Sequence, residues 1–309
     1  MPRAEVMNER SARFRSGEEI ADGLVAWTLL SDGRLCDSWM AWSTVHGRPV
    51  TVKICQRGDE VEDARRVLRR EASYLSALRH PGFQQLLGSS LDGPEPFLVL
   101  EYVEGYTLET ILDVEGRFAP VDALNVVSEL VAALGYLHRL GIAHLDVKPA
   151  NAILRDGRVV LMDLGLAQPL GTPMSPASPR GTRGYIAPEQ WCRAPASPAM
   201  DLFSAGCLLH ALVTRAAPYD HDGPPAAPLA PVRRRRGATV VERQVIDTVV
   251  AALASIDPSR RVATADEALL LIGRVRDQSE RTWPTFVDDA LGVTGTSLPD
   301  WAVRPTRAS

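Results

Sequence analysis

Between residues 24 and 103 the apolar residues recur mainly at every second position, and from residue 104 onward they recur at helical spacing. That segregation limits the possible folds more than any single motif. A doubly wound α/β fold needs strands and helices in alternation, whereas strands gathered first and helices afterwards indicate an α+β protein.

In the first part, LVAWTLL and WMAWSTV, separated by the turn-like SDGRLCDS, predict a hairpin. RPVTVKIC alternates Val50, Val52 and Ile54 against Thr51, Lys53 and Cys55, which sets Lys53 on the face opposite its aliphatic neighbours. EVEDARRVLRREASYLSALRH carries Val61, Ala64, Val67, Leu68, Ala72, Leu75 and Leu78 at helical spacing and is closed by His80-Pro81, one amphipathic helix. FQQLLGSS and PFLVLEYV return to strand patterning. In the second part, Val121, Leu124, Val127, Leu130, Val131, Leu134 and Leu137 mark a helix stopped at Gly141. AILR and VVLMD then flank the turn DGR, and further helices are expected at 199–214, 241–255 and 264–277. The expected division is an N-terminal extension (1–23), a β-rich lobe with one helix (24–103), a mostly helical lobe (104–277) and an irregular tail (278–309).

Charge and composition exclude several function classes. A net charge of −4 over 309 residues provides no overall basic field for a phosphate backbone, so no nucleic-acid partner is expected. The start of the chain is charged and has no apolar signal region, and the longest mainly apolar run, Leu202–Val213, is far short of the roughly 20 residues that span a bilayer. The expectation is a soluble cytoplasmic protein without membrane contact. Cys36, Cys55, Cys192 and Cys207 show no CxxC pair, so they are expected as free thiols, and the histidines lack metal-ligand spacing, so no structural metal is expected.

Of the 34 basic residues all but Lys53 and Lys148 are arginine, so two positions require an ammonium where the rest of the chain uses guanidinium. Lys148 lies in HLDVKPAN, between a long helix and a short hairpin that ends in MDLG, and the hairpin thereby delivers Asp163 beside Asp146.

With those residues in view, the chain resembles the eukaryotic-type (Hanks-type) serine/threonine protein kinase family from about Leu24 to Leu271. HLDVKPAN looks like its catalytic loop, DLG like its metal-binding DFG turn, GTRGYIAPEQ like the end of its activation segment and DLFSAGCLL like the helix beneath its lower lobe. VTVK matches the strand lysine, Glu71 stands where that lysine's helix partner belongs, and Arg261 of DPSRRV would pair with Glu189.

The resemblance implies a bilobal kinase fold, with ATP and Mg²⁺ as cofactors and a protein Ser or Thr as acceptor. Lys53, paired with Glu71, would contact the α- and β-phosphates, and Lys148 would reach the γ-phosphate. Asn151 and Asp163 would hold Mg²⁺ through oxygen, and Asp146 would orient the acceptor hydroxyl and take its proton. Glu101 to Val103 would form the hinge against adenine, and Ile153 also belongs to the nucleotide-binding set. Lys148 and Thr182 resemble the Ser/Thr-specific pattern. Leu164, in place of the DFG phenylalanine, is expected in a stack with Leu75, Leu86 and His144, anchored by Asp201.

The phosphate-covering loop departs from the family. Where GxGxxGxV is usual the chain has Ser31, Gly33, Cys36 and Ser38, and Thr51 replaces the usual alanine over the adenine. Glycine serves there because backbone amides must approach phosphate without a Cβ in the way, so weakened nucleotide binding is expected, with a pseudokinase scaffold as the alternative function. Leu145 replaces the arginine that in many members pairs with a phosphorylated activation segment, so activity independent of such phosphorylation is expected, with Thr172, Ser175 and Ser178 as candidate autophosphorylation sites. The Arg233–Arg236 run, after a proline-rich loop, is a candidate docking patch for an acidic partner.

Overall fold

The structure, a computed structural model, describes residues 13–56, 60–173, 181–219, 223–225, 227–229 and 240–276. The Arg233–Arg236 run, Ser175, Ser178 and the tail 278–309 lie outside the described residues. Two compact units are formed, one from residues up to Ala77 together with Gln85–Tyr102, the other from Leu78–Gln84 and the chain from Val103 onward.

The first unit is a six-stranded antiparallel sheet in the order β1-β2-β3-β4-β6-β5, with one helix. β1 (Glu19–Ala21), β2 (Leu24–Asp32), β3 (Cys36–Ser43) and β4 (Arg48–Cys55) follow one another, and β5 (Leu86–Ser90) and β6 (Phe97–Glu101) come after helix α1 (Val61–Ala77). Period-two alternation puts Val50, Val52 and Ile54 of β4 into a fully buried cluster with Ile20, Ala26, Trp39 and Ala41, while Thr51 and Lys53 face the other way. Part of the N-terminal stretch 1–23 belongs to this sheet: β1 pairs with β2, and Phe14 sits edge-on to Trp39 at 5.6 Å between ring centroids.

The SDGRLCDS segment turns more tightly than its polar composition suggests. Ser31 pairs with Ser38 and Asp32 with Asp37, so only Gly33, Arg34 and Leu35 make the turn. Gln56 holds it: its Nε2 donates to Gly33 O at 2.7 Å and to Asp37 Oδ1 at 3.0 Å, and its backbone N–H donates to Leu35 O at 2.9 Å.

α1 buries Ala64, Leu68, Ala72 and Leu75 at helical spacing, and Glu71 lies within the same buried stripe. A carboxylate on an apolar stripe is rarely tolerated without a partner, and Lys53 supplies one.

The second unit is helical apart from short strand pairs. β7 (Tyr106–Thr107) leads into α2 (Leu108–Val114), and β9 (Ala152–Arg155) pairs with β7 and with β10 (Arg158–Leu161), while β8 (Ile142–Ala143) pairs with β11 (Gln168–Pro169). The helices are α3 (Pro120–Arg139), α4 (Pro188–Trp191), α5 (Pro198–Thr214), α6 (Val240–Leu253) and α7 (Ala265–Arg276). Residues 78–84 dock here, where Tyr136 Oη accepts from Arg79 N at 3.0 Å and Leu161 N donates to Gly82 O at 2.8 Å.

α5 is apolar all round and buried from Met200 to Val213, which is the pattern of a helix at the centre of a core. Gly206 lets α6 approach it: a Cβ there would stand 2.8 Å from the Cβ atoms of both Leu253 and Ala254. Among the described residues α3 is long and apolar enough to cross a membrane, but it is mostly buried within the unit, where it packs on α5 and α7.

Candidate functional site

Segment 144–151 owes its shape to both of its flanks. Upstream, α3 ends at Arg139, Leu140 caps it, and Gly141 takes a left-handed φ of 77°, its N–H donating to His138 O at 2.9 Å. Downstream, Pro149–Asn151 form a 3₁₀ turn closed by Asn151 N to Lys148 O at 3.1 Å.

Beneath the segment, at the start of α5, lies Asp201. Its Oδ2 accepts from His144 N and its Oδ1 from Leu145 N, each at 2.8 Å, and His138 Nε2 is 2.8 Å from Oδ2. Asp201 has no exposed surface, and burial alone would raise its pKa; the His138 hydrogen bond and the nearby imidazoles outweigh that and hold it below the ordinary carboxylate value. The anchor fixes an unfavourable backbone, since Leu145 has φ 66°, a left-handed conformation that costs a non-glycine residue roughly 1–2 kcal/mol. Gln190 Nε2 also donates to Leu145 O, at 3.0 Å.

His144 is fully buried. Its Nδ1 faces the N–H of Asp146 at 3.3 Å and its Nε2 faces Met162 O at 3.2 Å.

Four side chains, those of Asp146, Lys148, Asn151 and Thr182, gather above this base. Thr182 Oγ1 donates to Asp146 Oδ1 at 2.8 Å and accepts from Lys148 Nζ at 2.6 Å, and Lys148 Nζ is 3.1 Å from Asp146 Oδ2. Asn151 Nδ2 donates to Asp146 O and Oδ2, both at 2.9 Å. With the amide nitrogen so committed, the side-chain oxygen of Asn151 points elsewhere, which suits a hard cation.

Asp163 follows directly on Met162, whose N–H donates to Asn151 O at 2.9 Å, so the two expected cation ligands are tied through the backbone. Asp163 also has a left-handed φ, 61°, and its Oδ1 accepts from Gly165 N at 3.0 Å. Val103 and Ile153 pack together with Val160 in a small apolar cluster of the same unit.

The first unit holds the other expected site residues. Lys53 Nζ lies 2.8 Å from Glu71 Oε2, with the lysine side chain 12% and the glutamate side chain 1% exposed. Removing either partner of so desolvated a pair leaves a buried charge uncompensated. Ser38 stands directly across from Lys53, Thr51 pairs with Leu100, Ser31 pairs with Ser38 and Gly33 is in the hairpin turn. Glu101 closes β6, its N–H donating to Gln85 O at 2.8 Å.

Elsewhere in the second unit Arg261 makes a two-pronged ion pair with Glu189, at 2.5 and 2.9 Å, and its guanidinium lies 4.8 Å over the Phe203 ring. The role of Gln190 and the closing of the hairpin turn by Gln56 carry no spacing signal in the sequence. A buried glutamine beside Glu189 and a glutamine just past a strand end are the nearest things to one.

Residues 29–267 match the protein kinase domain family. The chain is 34% identical over 254 residues to the "Probable serine/threonine-protein kinase SCO3848" of Streptomyces coelicolor, covering 77% of this chain and 38% of that protein. It is 31% identical to the serine/threonine-protein kinase PknB of Mycolicibacterium smegmatis, covering 88% of this chain and 46% of the relative, and 31% identical to PknB of Mycobacterium tuberculosis, covering 79% and 41%. The chain thus spans less than half the length of these relatives.

Proposed function

Since the chain belongs to the protein kinase family, we propose that it transfers the γ-phosphate of MgATP to Ser or Thr hydroxyls of protein substrates. The observation that carries this reading is the contact of Thr182 Oγ1 with both Asp146 and Lys148, at 2.8 and 2.6 Å. That contact supports a reading in which Asp146 accepts a proton from an aliphatic hydroxyl while an ammonium stands beside it. Protein kinases use an acid and a lysine in this way, with little covalent chemistry left for the protein to perform.

Bound Mg²⁺ would neutralise charge on the transferring phosphoryl group, and Asn151 and Asp163 are the residues that would hold it. Lys53, oriented by Glu71, is assigned to the α- and β-phosphates, and Lys148 to the γ-phosphate. Val103 and Ile153 offer the apolar surface a purine needs, with Glu101 and Thr51 completing the nucleotide set.

Activity in this reading needs no phosphate on the activation segment. Leu145 is 2% exposed and apolar, so it presents no cation to such a phosphate.

A second reading, a scaffold with weakened nucleotide binding, draws on the hairpin turn. Only Gly33 remains of the three expected glycines, and the Gln56 side chain is bonded to its carbonyl.

The deciding experiment is a radiolabelled MgATP assay on generic protein substrates with wild type, Asp146→Asn and Lys53→Met. Incorporation by wild type and its loss in both variants is the expected outcome. Equal, background-level counts in all three would favour the scaffold.

A further inference from the structure

Two thiols that the proposed chemistry does not use face each other across the sheet. Cys36 opens β3, Cys55 ends β4, and the strand register pairs them directly. Their backbone groups turn away from one another: Cys55 N donates to Pro96 O, Cys55 O accepts from Arg13 Nη1, and Cys36 O accepts from Gly33 N. The neighbouring bond joins Gln56 N to Leu35 O. Cys36 and Cys55 are therefore a non-hydrogen-bonded pair, the kind in which opposed side chains come closest, with Cα atoms about 4.5 Å apart. A disulfide needs a Cα separation of roughly 4.4–6.8 Å.

From this pairing we infer that Cys36 and Cys55 are an oxidative modification site, a dithiol that a hydroperoxide converts reversibly to a cross-strand disulfide.

The two thiols shift each other's acidity in opposite directions. The hydrogen bond from Cys36 pulls the Cys55 thiol below its ordinary pKa against the effect of burial, and the Arg65 and Arg13 guanidiniums add to the pull. Its partner's sulfur and burial push Cys36 the other way. The direction of the shifts makes Cys55 the attacking sulfur and Cys36 the resolving one, and since both side chains are buried, at 2% and 9% exposure, the oxidant the site admits is a small hydroperoxide.

In the first step the Cys55 thiolate attacks a peroxide oxygen, the O–O bond breaks, and the departing oxygen leaves as an alcohol, or as water when the oxidant is hydrogen peroxide. Cys55 is now a sulfenic acid. The Cys36 sulfur then attacks the Cys55 sulfur, the S–S bond forms, the S–O bond breaks, and hydroxide leaves with the Cys36 proton as water. Two thiols and one hydroperoxide give one disulfide, one alcohol and one water. A dithiol reductant reverses the step by exchange.

Position gives the link its consequence. Cys36 is the first residue after the Gly33–Leu35 turn, and Cys55 immediately precedes the glutamine that holds that turn. Oxidation replaces a hydrogen-bonded closure with a covalent one, two residues from Lys53 and from Ser38.

The test uses the full chain, reduced and then exposed to hydrogen peroxide, and reads thiols and peptides rather than enzymatic activity. After denaturation, Cys36 and Cys55 are expected to have disappeared together from the free thiols, and a peptide pair linked through them should appear and disappear again with dithiothreitol. A Cys192→Ser chain should form the same link, because the exposed Cys192 takes no part. Recovery of both Cys36 and Cys55 as free thiols under conditions that oxidise Cys192 would overturn the inference. So would a link from either of them to Cys192, or over-oxidation of Cys55 without any link. Because the decisive mapping is made on wild type, it holds even if a Cys36→Ser chain fails to fold.

Discussion

Asp201 holds Leu145 in place across 56 residues of sequence, its Oδ1 accepting the leucine N–H at 2.8 Å while Oδ2 takes the N–H of His144. The proposed catalytic segment therefore rests on a side chain from another helix, and three of the predictions below follow from what that segment positions.

Asp201→Asn should cost roughly 3–5 kcal/mol of stability, the usual penalty for breaking one member of a buried, fully bonded charge cluster. An amide can keep one of the backbone N–H bonds but must turn its own NH₂ toward another donor. Urea unfolding of wild type and variant measures the difference; a loss below about 1 kcal/mol would mean that the anchor is dispensable. The same group sets an acid limb. Its folded pKa lies below the ordinary value, so its contribution is complete above the unfolded pKa of about 3.9 and is lost as pH falls through the folded pKa. Wild type should lose stability below about pH 4, and the Asn variant should lack that part of the slope.

Thr182→Val should lower turnover by about 10²-fold, the lower end of what positioned proton transfer contributes, while Thr182→Ser stays near wild type. Valine keeps the volume but removes the hydroxyl that touches both Asp146 and Lys148. Equal rates for the Val and Ser variants would show that bulk rather than the hydroxyl matters at this position.

Phosphatase treatment should leave the rate within about twofold, because no charge-assisted bond to an activation-segment phosphate is available at Leu145. A collapse in activity that returns on autophosphorylation would place the charge partner elsewhere.

MgATP should bind more weakly than at the micromolar level, and Cys36→Gly should tighten it by removing a Cβ at the start of β3, where the family carries a glycine. Calorimetric titration checks both. Ordinary micromolar affinity in wild type would make the lost glycines irrelevant.

Much of this architecture is legible in the residue pattern, for reasons that also explain what is not. Strict alternation in β4 and the buried stripe of α1 leave little freedom, and an acid at position 71 within that stripe points to a cationic partner. The long helices were readable because α3 and α5 sustain their pattern over many turns.

α2 was not legible. Seven residues are too few for a period to register, although Thr107, whose Oγ1 accepts from Thr110 N at 3.1 Å, marks its start. Ser31, Asp32, Asp37 and Ser38 suggest a turn by composition, yet they pair as strand, because cross-strand bonding overrides local preference. At the site, the rarity of lysine singled out Lys53 and Lys148, and the family resemblance pointed to the acids. The left-handed backbone at Leu145 was not visible, since its cost is met by Asp201 and Gln190, far away in the chain.

The contact at Gly206 ties the fate of this loop to a place that no substrate touches. α5 carries Asp201 in its first turn and Gly206 about one and a half turns later, so the helix works as a beam supported at one end and bearing weight at the other. Even a single methyl at 206 would wedge the beam off its support and tilt the end on which the His144 and Leu145 amides rest. Sequence drift along α5 is therefore constrained by leverage as much as by burial.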